Sequence, residues 1–124
     1  MGNLVIVTKT EELRDRTKRF AIRIIRLFRA LPRSVEAQVI GKQLLRCGTS
    51  VAANYRAACR ARSRAEFIAR LGIVAEEADE SVLWLELLEE SNVLSHERLA
   101  EIAKEAKELA AIFSASQKTA KGNR

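Results

Sequence analysis

Two acidic clusters offer the most direct chemistry in this chain. Glu76-Glu77-Ala78-Asp79-Glu80 has the spacing Glu-Glu-x-x-Glu, and Glu105-Ala106-Lys107-Glu108 has the spacing Glu-x-x-Glu. Carboxylates three residues apart share one face of a helix, and two such faces could hold Mg²⁺ together with substrate phosphates. Against that reading, Glu105 and Glu108 flank Ala106 and Leu109 on a segment patterned like an ordinary solvated helix, and no Asp completes the second motif. His96 is the only histidine, so two Glu-x-x-His pairs for a di-iron site cannot be assembled. Serine, threonine or cysteine nucleophiles lack a base, and no zinc spacing, P-loop or glycine-rich dinucleotide turn occurs. The sequence therefore assigns no catalytic residue, no metal ligand and no cofactor, and it predicts a protein that is not an enzyme.

The cations are the other candidates. The net charge of +6 is unevenly spread: residues 1–70 hold 16 Lys/Arg against 5 Asp/Glu, and residues 71–124 hold 6 against 11. A hydrophobic core does not need such a surplus, which must face solvent, a partner subunit or a polyanion. The candidate phosphate-binding set is Arg19, Arg23, Arg26, Lys42, Arg46, Arg56, Arg60, Arg62 and Arg64. No aromatic platform or base-reading motif accompanies it, so binding to RNA or DNA would ignore sequence and weaken steeply with salt. The competing reading is a solvated face, or ion pairs with the acidic third helix of the same or a neighbouring chain.

These residues need a scaffold, and the chain is patterned for helices throughout. Hydrophobic residues make up 48% and charged residues 31%, with one Pro and five Gly in 124 residues, a balance that suits one domain with a real core. Thr8 with Glu11 can cap a first helix whose seam is Leu13, Thr17, Phe20, Ile24, Leu27, Phe28 and Leu31, stopped by Pro32. Ser34 can cap a second, with Ile40, Leu44, Cys47, Val51, Tyr55 and Ala58 as its seam and an end near Ala61. Gln43, Ser50 and Asn54 border that seam and predict a polar network with Glu80 that fixes helix register. On the back of the same helix, Gly48 and Ala52-Ala53 permit close approach.

Ser63 with Glu66 is a second capping box, opening a third helix along Phe67, Leu71, Val74, Ala75, Ala78, Val82 and Leu85. From Ser81 to Leu88 this helix is apolar nearly all round, which predicts a second buried surface. Leu83, Trp84, Leu87 and Leu88 are the candidate oligomer interface. Ser95 can cap a fourth helix along Leu99, Ile102, Ala103, Ala106, Leu109, Ala110 and Phe113, with His96 in the turn as a surface residue or capping helper. An apolar arm (1–8) and a frayed basic tail (118–124) flank a single domain spanning 1–124. Four helices with short connections predict an all-α, up-down-up-down antiparallel four-helix bundle. No apolar run approaches a membrane span, and no secretory signal opens the chain. Cys47 and Cys59 would sit ~18 Å apart on one helix, too far to bridge. Reduced cysteines and the absence of these signals predict a cytoplasmic protein without membrane association.

The run from Gln43-Leu44 through Ser50-Val51, Asn54 and Ser63-Arg64-Ala65-Glu66-Phe67 resembles a known family. This is the family of four-helix-bundle proteins encoded in intervening sequences of bacterial 23S rRNA genes, the S23 type. It is similar to the accessory variability proteins of diversity-generating retroelements. Its pattern is QL-x-R-x3-S-[IV]-x2-N-[IV]-x-E-G, then a polar turn and an EF-x-x-x-L helix. Gln43, Leu44, Arg46, Ser50, Val51, Asn54, Glu66, Phe67 and Leu71 match, and Glu80 fits the acidic position of the following helix. Tyr55 replaces a small aliphatic residue and Ala57-Ala58 replace Glu-Gly, which suggests a distinct subgroup. Across residues 10–115 the resemblance implies a bundle assembling into a ring-like homopentamer. It also implies nucleic-acid binding through basic surfaces, without catalysis. The expected function is thus a homo-oligomeric accessory or scaffold that binds RNA or DNA. The alternatives are a pure protein-interaction module and, further off, a Mg²⁺-dependent all-α nucleotide pyrophosphohydrolase using the two acidic motifs.

Overall fold

The structure is a computed structural model that describes residues 8–122. Within them the chain forms four α-helices and no strand: α1 (Lys9–Ala30), α2 (Val35–Cys59), α3 (Arg64–Glu90) and α4 (His96–Gly122). The apolar run Leu4–Val7 and the last two residues of the tail lie outside the described residues. Residues 118–122 of the expected frayed tail are helical and complete α4. Arg64 explains part of this, since its guanidinium donates to the Ala120 carbonyl at 2.8 Å and satisfies an acceptor of the last turn.

The helix ends follow local chemistry. The Thr8 hydroxyl accepts from the Glu11 amide at 3.1 Å, and the Ser63 hydroxyl accepts from the Glu66 amide at 3.1 Å. Glu66 reaches back one residue further than a standard box, accepting from the Arg62 amide at 2.9 Å. Ser34 departs from expectation: it occupies the N-cap of α2 in an extended conformation, but its side chain makes no capping bond. Its carbonyl accepts from the Gln38 amide, while the Gln38 side chain reaches the Pro32 carbonyl. At the end of α3, Asn92 takes φ 62°, the left-handed stop that asparagine tolerates.

The seams read from the sequence are the core. Phe20, Ile24, Leu44, Val51, Leu71, Val74, Leu85, Leu99, Leu109 and Phe113 are each at most 2% exposed. Each helix packs on its neighbours in sequence, most extensively α2 on α3 and α3 on α4, whereas α1 meets α4 along a thin seam. Tyr55 and Phe113 bridge across the core with ring centroids 5.0 Å apart. Thr17, though buried, satisfies its hydroxyl on the Leu13 carbonyl at 2.8 Å. Gly48 is buried in the α1–α2 contact against Ile24, the close approach expected of it.

Candidate nucleic-acid interface

The crossing of α1 over α2 creates a groove of about 600 Å³ whose floor is Thr49, Ala52 and Ala53. Small side chains keep the floor low, and long charged ones form the banks: Glu11, Arg14, Asp15 and Lys18 from α1, and Arg56 from α2. Ala53 and Arg56 also belong to an adjoining shallow groove that continues past the end of α2 to Arg60, Arg62 and Glu66. Arg14, Lys18, Arg56, Arg60 and Arg62 are exposed and make no ion pair with any described residue. They form a cationic path running obliquely over one end of α1 and α2.

Part of the predicted set lies elsewhere. Arg23 and Arg26 line a separate depression on the α1–α4 seam, opposite Glu97, Arg98 and Glu101. Arg19 borders the groove between the start of α1 and the end of α4. Lys42 is exposed on α2 nearly four turns before Arg56. The nine residues therefore do not form one surface, because the α1 seam turns Arg19, Arg23 and Arg26 toward α4 while Arg14 and Lys18 flank α2. Those two were absent from the predicted set, although their one-turn spacing on the other flank of the seam was the available signal.

Arg46 and Arg64 are structurally engaged. Arg46 donates from Nη1 to Glu77 at 3.2 Å, from Nη2 to Glu80, and from Nε to Gln43 Oε1 at 3.4 Å. Glu80 also accepts from the Trp84 indole at 3.0 Å. That hydrogen bond, and after it the Arg46 guanidinium, hold the Glu80 carboxyl below its usual range against the cost of desolvation. Asn54 donates to the Ser50 hydroxyl at 2.8 Å and accepts from Arg70 Nη1 at 3.2 Å. The single polar network expected divides into two clusters on the α2–α3 contact: Gln43 is joined to Glu80 through Arg46, whereas Ser50 bonds Asn54 directly and Asn54 is joined to Arg70 rather than to Glu80. Buried between α2 and α3, the Cys47 thiol lies 3.1 Å from the Ser81 hydroxyl. Burial pushes that thiol up, away from nucleophilic use.

The candidate interface residues also divide. Leu83 is 47% exposed and Leu87 39%, with Ile73 at 37% farther along the same helix. Trp84 is half-buried against the core with its indole bonded to Glu80, and Leu88 is fully buried in the protomer core, so Leu88 cannot belong to an outer contact surface. Outside α3, Val35 and Val39 on α2 are 78% and 58% exposed. His96 pairs with Glu89 at 2.6 Å on the surface.

The two acidic motifs face different helices. Glu77 and Glu80 of α3 meet Arg46 of α2, whereas Glu105 and Glu108 of α4 meet Arg16 of α1 at 2.7 and 2.9 Å. Each pair is partnered by a guanidinium and not by the other pair, and no described group of three His, Cys, Asp or Glu gathers to hold a metal. None of the described helices is long and apolar enough to cross a membrane.

The family model of the 23S rRNA-intervening sequence protein matches residues 9–115. A crystal structure of a protein of unknown function from the S23 ribosomal protein family of Bacteroides thetaiotaomicron superposes with a TM-score of 0.82. It is 36% identical, and the match covers 90% of this chain and 99% of that one. No curated protein matches the chain. The motif Gln43-Leu44 to Asn54, the four helices that carry it and the match over residues 9–115 agree: the chain belongs to the 23S rRNA-intervening sequence protein family.

Proposed function

We propose that this protein is a non-catalytic, homo-oligomeric bundle of alternately directed helices that binds nucleic acid through the cationic path on α1 and α2. One observation carries the reading: Arg14, Lys18, Arg56, Arg60 and Arg62 lie together, exposed, with no described carboxylate in an ion pair with them. Unpaired cations kept side by side repel one another, and a polyanion relieves that cost while releasing its own counterions. Assembly is supported by Leu83 and Leu87, large apolar side chains left open one turn apart on α3. A ring of five subunits, the number the family resemblance implies, would repeat the path and multiply weak contacts. Partners are then RNA or DNA and further copies of the chain, in the cytoplasm.

A second reading, an assembly module without nucleic acid, is favoured by the same open leucines and by the acidic surface of α3 and α4. Two variants separate the readings. Arg56→Ala with Arg60→Ala should weaken retention of nucleic acid and leave the oligomer's mass by light scattering unchanged. Leu83→Asp with Leu87→Asp should reduce that mass. Dissociation by the arginine changes would instead assign those cations to subunit contacts and refute the nucleic-acid reading.

A further inference from the structure

We infer that the cationic path takes the backbone of a double helix in preference to an unpaired strand, an inference that rests on the nucleic-acid reading above. The first argument is what lines the path. Its floor is Thr49, Ala52 and Ala53, without an aromatic face. Tyr55 is 5% exposed, and Trp84 is on α3 with its indole bound to Glu80. Proteins that hold single strands stack bases on aromatic side chains, worth about 1–3 kcal/mol per base. Here a strand would gain phosphate contacts alone, while losing the freedom that ordering removes.

The second argument is charge density. Arg14 and Lys18 are one turn apart on α1, Arg56 lies in the last turn of α2 with Arg60 at its C-cap, and Arg62 lies beyond the helix end. From the level of Thr49 to Arg60 the path is ~17 Å long at 1.5 Å per residue. A duplex presents one phosphate per ~1.7 Å of axis, so ~10 lie along that length, against ~5 on one strand. The five cations outnumber Glu11, Asp15 and Glu66 in the same two grooves, and beside a duplex each has a phosphate within reach. On a lone strand they would need every phosphate to turn the same way.

Binding should be sequence independent, because no side chain on the path is placed by a rigid partner to read a base edge, and its long cations have only phosphate geometry to satisfy. With five phosphates neutralised by one subunit, log K against log salt should fall with a slope of about −4.5 on duplex, and about −3.5 on a single strand if all five were engaged. Between 50 and 200 mM salt these slopes mean losses of roughly 500-fold and 130-fold. If several subunits engage, both slopes scale together and their ratio stays.

The test is a salt-titrated mobility shift of the full-length oligomer on a duplex of about 20 base pairs, as DNA and as RNA, and on each separated strand. The expected result is tighter binding to duplex of either sugar, with the steeper slope. Arg56→Ala with Arg60→Ala should lower the duplex slope by about 1.8 for each subunit engaged, and Arg56→Lys with Arg60→Lys should restore it. Circular dichroism confirms that the helices persist. Strands that bind as tightly as duplex, or with a base preference, overturn this inference and leave the nucleic-acid reading standing. Failure to retain any of the probes overturns both. A preference for duplex in only one sugar would show that the protein reads groove shape as well as phosphate, against the argument from charge density.

Discussion

Two single-atom additions, each on a helical glycine, should have unequal effects on stability. A Cβ placed on Gly48 would lie 2.8 Å from Ile24 Cγ1, 3.0 Å from Cγ2 and 3.2 Å from Cβ. Ile24 is β-branched and fully buried, so no rotamer takes all three atoms away, and α1 must shift from α2. Overpacking of this kind costs about 2–3 kcal/mol, and replacing a helical glycine by alanine returns about 1 kcal/mol of propensity. Gly48→Ala should therefore lose about 1–2 kcal/mol.

On Gly72 the same atom meets only the amide end of Gln117, which can swing out and give up one bond of 3.3 Å to the Ile68 carbonyl. That loss of about 0.5–1 kcal/mol is matched by the propensity gain, so Gly72→Ala should fall within about 0.5 kcal/mol of wild type. Urea midpoints at one fixed protein concentration measure both, because assembly would otherwise shift them. The decisive arm is Ile24→Ala, which removes Cγ1 and Cγ2 and costs about 2–5 kcal/mol itself. In that background Gly48→Ala should become stabilising by about 1 kcal/mol. A Gly48→Ala protein as stable as wild type, or an unchanged effect in the Ile24→Ala background, would refute the claim that Ile24 sets the α1–α2 distance.

Other groups supply further tests. Arg16, by its hydrogen bond and then its charge, holds the Glu105 carboxyl below the usual carboxylate range despite desolvation. A depressed carboxylate adds stability that is present above its unfolded pKa and lost as pH falls through the folded one. Acid should thus cost wild type stability below about pH 4.5, and Glu105→Gln should flatten that limb in pH-dependent urea melts. The lone tyrosine, Tyr55, has its phenol pushed up to about 12 by burial and then by Cys59. Its stabilising contribution is complete below pH 10 and lost as pH rises toward 12. Phenolate absorbance should therefore appear near pH 12 in the folded protein and near pH 10 in urea. Of the two thiols, half-buried Cys59 should react with an aromatic disulfide in the folded state, and buried Cys47 only on unfolding. Prompt reaction of both would mean that the α2–α3 contact opens freely.

The helices were legible because each signal was local. Caps at Thr8 and Ser63, the stop at Pro32 and seams at helical spacing lie within a few residues of what they control. What one helix shows its neighbour was not local. Arg16 is anonymous in sequence, yet its bidentate grip on Glu105 ties α1 to α4 where their packing is thinnest. Leu88 looked like its neighbours Leu83 and Leu87, because a helix apolar all round gives no phase from which to tell inner from outer leucines. The cationic path was half legible. Arg56, Arg60 and Arg62 are close in sequence, but pairing them with Arg14 and Lys18 requires the α1–α2 crossing, a contact more than thirty residues apart.

Arg46 shows why family motif and function come apart in this chain. It carries the motif's cation, and in the sequence it counted equally with Arg56. In the structure it joins Gln43, Glu77 and Glu80, leaving its guanidinium little capacity for phosphate. The matching residues Gln43, Ser50 and Asn54 likewise turn to the α2–α3 contact. Tyr55, where the chain departs from the pattern, packs on Phe113 in the core. The motif therefore specifies how α2 meets α3, and that is the property a matching family model transfers with most force. The cations proposed for function lie outside it, on the banks of the α1–α2 groove. There a charge can change without disturbing the α2–α3 contact, so the motif and the proposed binding surface can be tested by separate substitutions.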